Sequence, residues 1–443
     1  MRRRSTPLAV CALCALLGGV LRCSAQSASP THRRVVSDPA AKELNDLLDA
    51  AQAALEKQDF ESAAKNYQDY LAKKPDDAIV HYDLGYIDSA LKRPDDAKAE
   101  YQRAIELDPK MAAAYLNLGV VLMTTDPAAA LDPLEKAADL NPADARTKWV
   151  LGTALENARK LPDAIEQFRA ARKLDDADIK IRLSLAHALL ASNQDADAEA
   201  EYRASLALQG TPAEMGQAHR GLEETLLAEK KSPDAAAELA VYLESHPNDV
   251  KARVDHASLL FDQGKYDDSL AELDRAAKSG AEDVRALKLR SDILWKQKRY
   301  ADAVGALNKA AVLAPRDPDI AARLGEAYLQ AKDYADASHW LVAAYNANPG
   351  ANDVLAYLVD AEYGSKNYSQ ALAALDALSK REDLPLPSWY VRASCLDNLG
   401  QIEPAIEAYQ KFLQLNKDQN SDMYFVSTAR VRILIRELHN KKR

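Results

Sequence analysis

The chain has 443 residues, 48% hydrophobic and 28% charged, with a formal net charge of −10. An acidic balance of this size excludes a general nucleic-acid binder, whose affinity comes from neutralising phosphates with Lys and Arg. Glycine is sparse at 15 residues, aromatics make up 6%, and no run alternates apolar and polar residues as a sheet requires.

Residues 1–25 read as a secretory signal peptide. Arg2, Arg3 and Arg4 precede an apolar stretch from Leu8 to Leu21, and Cys23-Ser24-Ala25 supplies a small-residue cleavage pattern, so cleavage after Ala25 is expected. The stretch is short for a membrane anchor and has the wrong flanks. Two alternatives stay open. Cys23 would be the acylated cysteine of a bacterial lipoprotein, although Arg22 stands where such signals want a small residue. A twin-arginine signal is the other, although Ser5-Thr6-Pro7 departs from its usual continuation. The location implied is periplasmic or secreted, or the outer membrane through Cys23. No later hydrophobic run is long enough to span a bilayer, so no transmembrane segment is expected in the mature chain.

Removing residues 1–25 takes away four arginines and no acid, leaving 53 basic against 67 acidic side chains. Cys11, Cys14 and Cys23 leave with the signal. Cys395 then stands alone, which rules out an intramolecular disulfide, and it reads as a buried small residue rather than a reactive thiol. Residues 26–37 are Ser/Ala/Gln-rich and aperiodic, a flexible leader. Ser37-Asp38-Pro39 marks a helix start.

From here a small residue recurs: Ala63, Ala97, Ala130, Ala164, Ala198, Ala235, Ser269, Ala303, Ala337, Ala371 and Ala405. The spacing is 34 except for one step of 33 and one of 37. Four residues after each comes an aromatic or leucine, from Tyr67 and Tyr101 to Leu375 and Tyr409. A proline closes many units, as at Pro75, Pro109, Pro142, Pro247, Pro315 and Pro349. Leu84-Gly85, Leu118-Gly119, Leu151-Gly152 and Leu324-Gly325 share one phase. Each unit reads as two amphipathic helices. The first carries apolar residues such as Tyr82, Leu84 and Ile87 at helical spacing, and the second Ala97, Tyr101 and Ala104. The small residues stand where two backbones approach closely. No unit buries its stripe alone, so neighbours must stack.

This pattern resembles the tetratricopeptide repeat family over roughly residues 44–417. The resemblance implies an all-α fold: a right-handed superhelical solenoid of about eleven helix–turn–helix repeats with a C-terminal capping helix. Residues 38–417 form the array and residues 418–443 the cap and a basic tail. The step of 37 at Gly210-Thr211-Pro212 is expected to be an extended loop, and the step of 33 a shortened turn near Thr125-Asp126-Pro127. The sixth, seventh, eighth and tenth units lack the Leu-Gly pair. In the last helix, about residues 422–439, Tyr424, Val431, Leu434, Ile435 and Leu438 fall on one face. Arg430, Arg432 and Arg436 are candidates for the polar outer side that an end cap needs. The alternative is a basic amphipathic helix that touches anionic lipid, with Lys441-Lys442-Arg443 behind it.

Catalytic motifs are missing. There is no His-Glu-x-x-His, no Gly-x-Ser-x-Gly, no phosphate loop and no histidine cluster at zinc-ligand spacing. The residues after Lys417 are too few for a fused catalytic domain. The reading is therefore a protein without catalytic residues, cofactor or metal. The resemblance implies that the first helix of each repeat lines a concave groove that binds a partner segment. The partner-binding groove expected at that phase is Ile79, Tyr82, Tyr86, Leu116, Val120, Met123 and Trp149, an apolar and aromatic strip. A secondary groove patch, Lys251, Phe261, Arg285, Lys288, Trp295 and Lys296, is basic and aromatic. Asp319, Glu326, Asp353, Asp360 and Asp397 make an acidic stretch. Of the lysine, asparagine and arginine set with which the family's chaperone adaptors clamp a C-terminus, only Asn117 is present, which excludes that role. The function expected is a scaffold or assembly factor of the bacterial cell envelope that binds a protein or peptide. The alternative is a helper in polysaccharide export, with Tyr82, Trp149 and Trp295 stacking on a glycan.

Overall fold

The computed structural model describes residues 39–280 and 283–441. The expected signal peptide with Cys23, the expected leader to Ser37, and Lys442-Arg443 lie outside the described residues. Within them are 23 helices and no strand. Eleven are first helices and eleven second helices: α1 Pro39–Glu56 with α2 Phe60–Lys73, α3 Ala78–Ala90 with α4 Pro94–Leu107, α5 Ala112–Thr125 with α6 Leu131–Leu140, α7 Ala145–Asn157 with α8 Leu161–Leu174, α9 Ile179–Ala191 with α10 Asp195–Leu206, and α11 Pro212–Ala228 with α12 Ser232–Ser245. There follow α13 Val250–Asp262 with α14 Tyr266–Lys278, α15 Val284–Lys296 with α16 Tyr300–Leu313, α17 Pro318–Gln330 with α18 Tyr334–Ala347, α19 Asn352–Gly364 with α20 Tyr368–Ser379, and α21 Leu386–Asn398 with α22 Ile402–Leu415. The last helix, α23, is Asp422–Lys441. They form two compact units, one ending at Ser245 and one starting at His246.

The 34-residue phase is a packing phase. All eleven small residues from Ala63 to Ala405 are no more than 1% exposed, and the aromatic or leucine four later no more than 4%. Both belong to the second helix, facing the first. A Cβ on Gly85 would lie 2.9 Å from the Tyr101 ring, and one on Gly152 2.6 Å from Phe168. Glycine there lets a large ring lie against the backbone of the first helix. The hydrophobic effect then seals the pair at about 25 cal/mol per Å² of apolar surface buried.

The turns follow the same period. Gln58, Lys92, Arg159, Asn193, Lys230, Lys298, Lys332 and Lys366 all have φ between 57° and 64°, and Gly264 and Gly400 occupy the equivalent place. The chain enters the second helix through one left-handed residue, a conformation that disfavours side chains other than glycine's. The third repeat has no such residue, and the shortened turn expected there is not found: the turn between Thr125 and Leu131 is longer, and it is α6, with 10 residues, that is short. Six of the first helices begin at an aspartate: Asp77, Asp144, Asp178, Asp249, Asp283 and Asp317 each accept a backbone N–H.

Two further expectations are corrected. The extra residues near Gly210 do not make an extended loop. Pro212 in the first turn and a capping box between Thr211 and Glu214 start α11 early, so most of the insertion becomes an added helical turn. In α23, Arg430 does not face outward: it turns in to Asp397, donating at 2.5 and 2.8 Å. Leu434 is buried on the inner face as expected, whereas Ile435 is 38% exposed. Cys395 is fully buried, and burial pushes its thiol up to about 11.

Candidate functional site

Within each compact unit, a second helix packs on its own first helix and on the helix that follows it. Within each unit, neighbouring first helices also touch, α3 to α5, α5 to α7, α7 to α9 and α9 to α11 in one, α13 to α15 and α17 to α19 in the other. No comparable contact joins successive second helices. Within each unit the first helices therefore form an inner row, and side chains on that row meet across repeats.

This close approach divides the expected strip. Leu116, Val120 and Met123 are only 8%, 7% and 6% exposed. The strip assigns them to an open groove; they are core. Their helix, α5, is apolar nearly all round, and it is held between α3 and α7 as well as against α6, so its inner-row positions are covered by neighbours. Ile79, Tyr82, Tyr86 and Trp149 are half-buried and keep part of their surface open. Asn117 donates from Nδ2 to the Tyr82 hydroxyl at 3.2 Å, and Trp149 Nε1 donates to Ser184 Oγ at 2.9 Å. Both bonds span adjacent repeats and fix an aromatic ring on the row. The Tyr82 ring also lies tilted on Tyr101, centroids 5.9 Å apart. His187 Nδ1 lies 2.7 Å from Glu156 Oε1, and this bond raises the imidazole above its usual range.

The secondary patch is less basic than its composition. Arg285 pairs with Asp255 at 2.5 Å, and Lys288 with Asp319 and, at 3.5 Å, Asp317. Arg323 pairs with Asp292 and, at 3.0 Å, Asp319. The cations thus cross-link the row, and part of the acidic stretch is neutralised with them. Lys251 and Lys296 are exposed. Trp295 sits edge-on to Tyr300, centroids 4.8 Å apart, and Phe261 lies tilted on Tyr266 at 5.8 Å, so both rings pack on the next helix.

Sequence reasoning overlooked one recurring contact. The fourth residue of several first helices reaches a glutamate 19 residues on, in the partner helix: His81 to Glu100 at 2.5 Å, Arg182 to Glu201 at 2.9 Å and Arg253 to Glu272 at 2.7 Å; His219, the eighth residue of the lengthened α11, reaches Glu238 at the same separation. The fixed 19-residue separation of opposite polar groups is the signal that would have revealed it. Beside this clasp, burial pushes the Asp83 carboxyl up to about 7, while the Tyr67 hydroxyl hydrogen-bonded to it pulls the other way. These pairs close the repeat rather than face a substrate.

Among the described residues no three His, Cys, Asp or Glu side chains are arranged to hold a metal, and no helix is long and apolar enough to cross a membrane. A crevice of about 400 Å³ opens on the second-helix side of α14 to α16, past Leu270, Leu287 and Gly305. Its cations Arg290 and Arg299 are paired with Asp274 and Asp302. The inner row holds partly buried aromatic rings in fixed positions beside polar neighbours.

Sequence profiles described as tetratricopeptide repeat match residues 48–87, 124–179 and 254–318, 294–344 and 386–419, and a profile described as TPR repeat matches 90–126. No curated protein matches the chain. Among solved structures it is similar to MamA 41-end from Desulfovibrio magneticus RS-1, at 23% identity over 38% of this chain and 94% of that one, with a TM-score of 0.36. It is similar to PilF of Pseudomonas aeruginosa at 19% identity, over 47% and 94%, with a TM-score of 0.38. It is also similar to YrrB, a TPR protein with an unusual peptide-binding site, at 19% identity, over 51% and 97%, with a TM-score of 0.32.

Proposed function

The chain belongs to the tetratricopeptide repeat family, and from that premise we propose that it is a non-catalytic scaffold of the bacterial cell envelope, binding a protein segment along its inner row of first helices. The observation that carries the reading is the pair of cross-repeat bonds, Tyr82 to Asn117 and Trp149 to Ser184, which hold half-exposed rings in fixed positions. A ring already ordered loses little entropy on binding, and such anchors dominate affinity in protein interfaces. The primary site is then Ile79, Tyr82, Tyr86 and Trp149, with Leu116, Val120 and Met123 as the packed support beneath. Lys251, Phe261, Trp295 and Lys296 form a second contact region, where Arg285 and Lys288 set the row rather than the partner. The signal-like residues 1–25 support an envelope location, periplasmic or secreted, or the outer membrane if Cys23 is acylated.

Site-specific photo-crosslinking tests this. A crosslinker in place of Tyr86 is expected to trap a discrete partner in envelope extracts, and one in place of the exposed Gln102 on α4 is not. The double substitution Tyr86→Ala with Trp149→Ala should lose capture without loss of helical content. Equal trapping at both positions would move the binding face elsewhere, and retained glycan without protein would replace the scaffold by the export reading.

A further inference from the structure

The terminal helix does not have the outer face of an end cap. α23 lays Ser427, Val431, Leu434 and Leu438 toward α22, with Ser427 and Leu434 at 0% and 1% exposure. On the opposite side, Phe425 is 76% exposed, Val426 46% and Ile433 42%. At 100° per residue, Phe425, Val426, Ala429 and Ile433 form one outward stripe, with Arg432 along its edge and Arg436 between Phe425 and Ala429. Both arginines are exposed, and neither makes an ion pair among the described residues. Arg430, the third arginine, is spent inward on Asp397. A capping helix that only closed a core would be polar on this side.

We propose that the outer face of α23 docks on an anionic lipid surface. Charge selects this occupant. From Asp422 to Arg443 the sequence has six Lys or Arg against two acids, whereas the whole chain carries −10. A second copy laid on the same face would bring Arg432 and Arg436 against their own counterparts, at a cost in like-charge repulsion. An anionic bilayer offers an apolar layer for Phe425, Val426 and Ile433, with phosphates at the depth that arginine side chains reach from the helix. The helix would lie in the membrane plane, with α22 behind it. This inference does not depend on the reading of the inner row.

Flotation of the full chain with vesicles tests it, phosphatidylcholine alone against phosphatidylcholine with phosphatidylglycerol. The expected result is partitioning on the anionic vesicles at least about tenfold above the neutral ones, weakening with added salt. Arg432→Gln with Arg436→Gln should lower it about tenfold or more, and so should Phe425→Ser with Ile433→Ser. Lys278→Gln, exposed on α14, should leave it unchanged. All three are surface variants, and circular dichroism verifies that helical content is retained. Partitioning that ignores vesicle charge, or that survives both α23 variants because residues 1–38 carry it, overturns the proposal. So does a concentration-dependent dimer abolished by Phe425→Ser with Ile433→Ser, which would make a second copy the occupant, and so does binding of an acidic protein in preference to either vesicle.

Discussion

In residues 39–245 successive first helices are joined mainly by neutral hydrogen bonds and apolar contacts, Tyr82 to Asn117, Trp149 to Ser184 and the buried α5, with His187 to Glu156 the ionisable exception. In residues 246–441 first helices are joined mainly by ions, Arg285 to Asp255, Arg323 to Asp292 and Lys288 to Asp319, with Tyr363 to Ser394 the neutral exception. The repeat geometry is one and the same, since both regions keep the small residue at no more than 1% exposure every 34 residues or so. The comparison teaches that the second-helix contact sets the fold, while the inner row is free to be apolar or charged. An apolar row closes on itself and leaves little beyond its rings and Ile79 accessible. A charged row stays partly solvated, and its pairs hold neighbours together weakly, about 0–1 kcal/mol for each exposed pair.

The largest effect that would break the comparison is in α5. Leu116→Ala should destabilise the chain by about 2–5 kcal/mol, because it opens a cavity between packed helices. Lys251→Ala, an exposed inner-row position of the other region, should stay within about 0.5 kcal/mol. Urea denaturation compares them, and equal effects would mean that the two rows are alike. Next, Ala303→Leu should cost about 1–3 kcal/mol by forcing apart α15 and α16, where Ala303 is fully buried. An unchanged melt would show that the charged region does not share the packing phase.

A third experiment uses pH. The Asp83 carboxyl titrates at about 7 in the fold against an ordinary value of 3.8. Between these values the folded chain holds a proton that the unfolded chain has released. This group's contribution therefore favours folding at low pH, falls as pH rises through the window, and levels off above about 7. Asp83→Asn should remove that slope, so the gap between variant and wild type widens from pH 4 to pH 7 in paired urea melts. A gap that stays constant would mean that the carboxyl is not desolvated.

The two smallest predictions sharpen the contrast. Gly305, in α16, has nothing within 4 Å of where a Cβ would stand, so Gly305→Ala should stabilise by about 0.5–1 kcal/mol through helix propensity alone. A Cβ on Gly119, in α5, would meet Leu134 at 2.4 Å, and Gly119→Ala should show no such gain. Thermal melts of both decide it. Last, Arg323→Gln should cost about 1 kcal/mol or less and reduce the salt dependence of amide exchange in α15 and α17 while leaving α5 and α7 unaffected. Salt-dependent exchange of equal size in α5 would erase the distinction.

The sequence by itself determined the helix pairs, their phase and the residues between them. A small residue and a large one four apart, repeated from Ala63 to Tyr409, encode a local contact between helices that follow each other directly, and a local contact is legible in spacing. Leu434 in the last helix and the burial of Cys395 were legible for the same reason, as apolar residues on a periodic face. Which inner-row residues remain open was decided only by the tertiary structure. Leu116 and Tyr82 occupy the same position of adjacent repeats, yet one is sealed and the other half-open, because closure depends on the side chains of both neighbours, which lie about 34 residues away in either direction. The neutralisation of Arg285 and Lys288, the inward turn of Arg430 and the bare face of Phe425 have that same cause. Each depends on which neighbouring element a side chain meets, and periodicity along the chain does not carry that information.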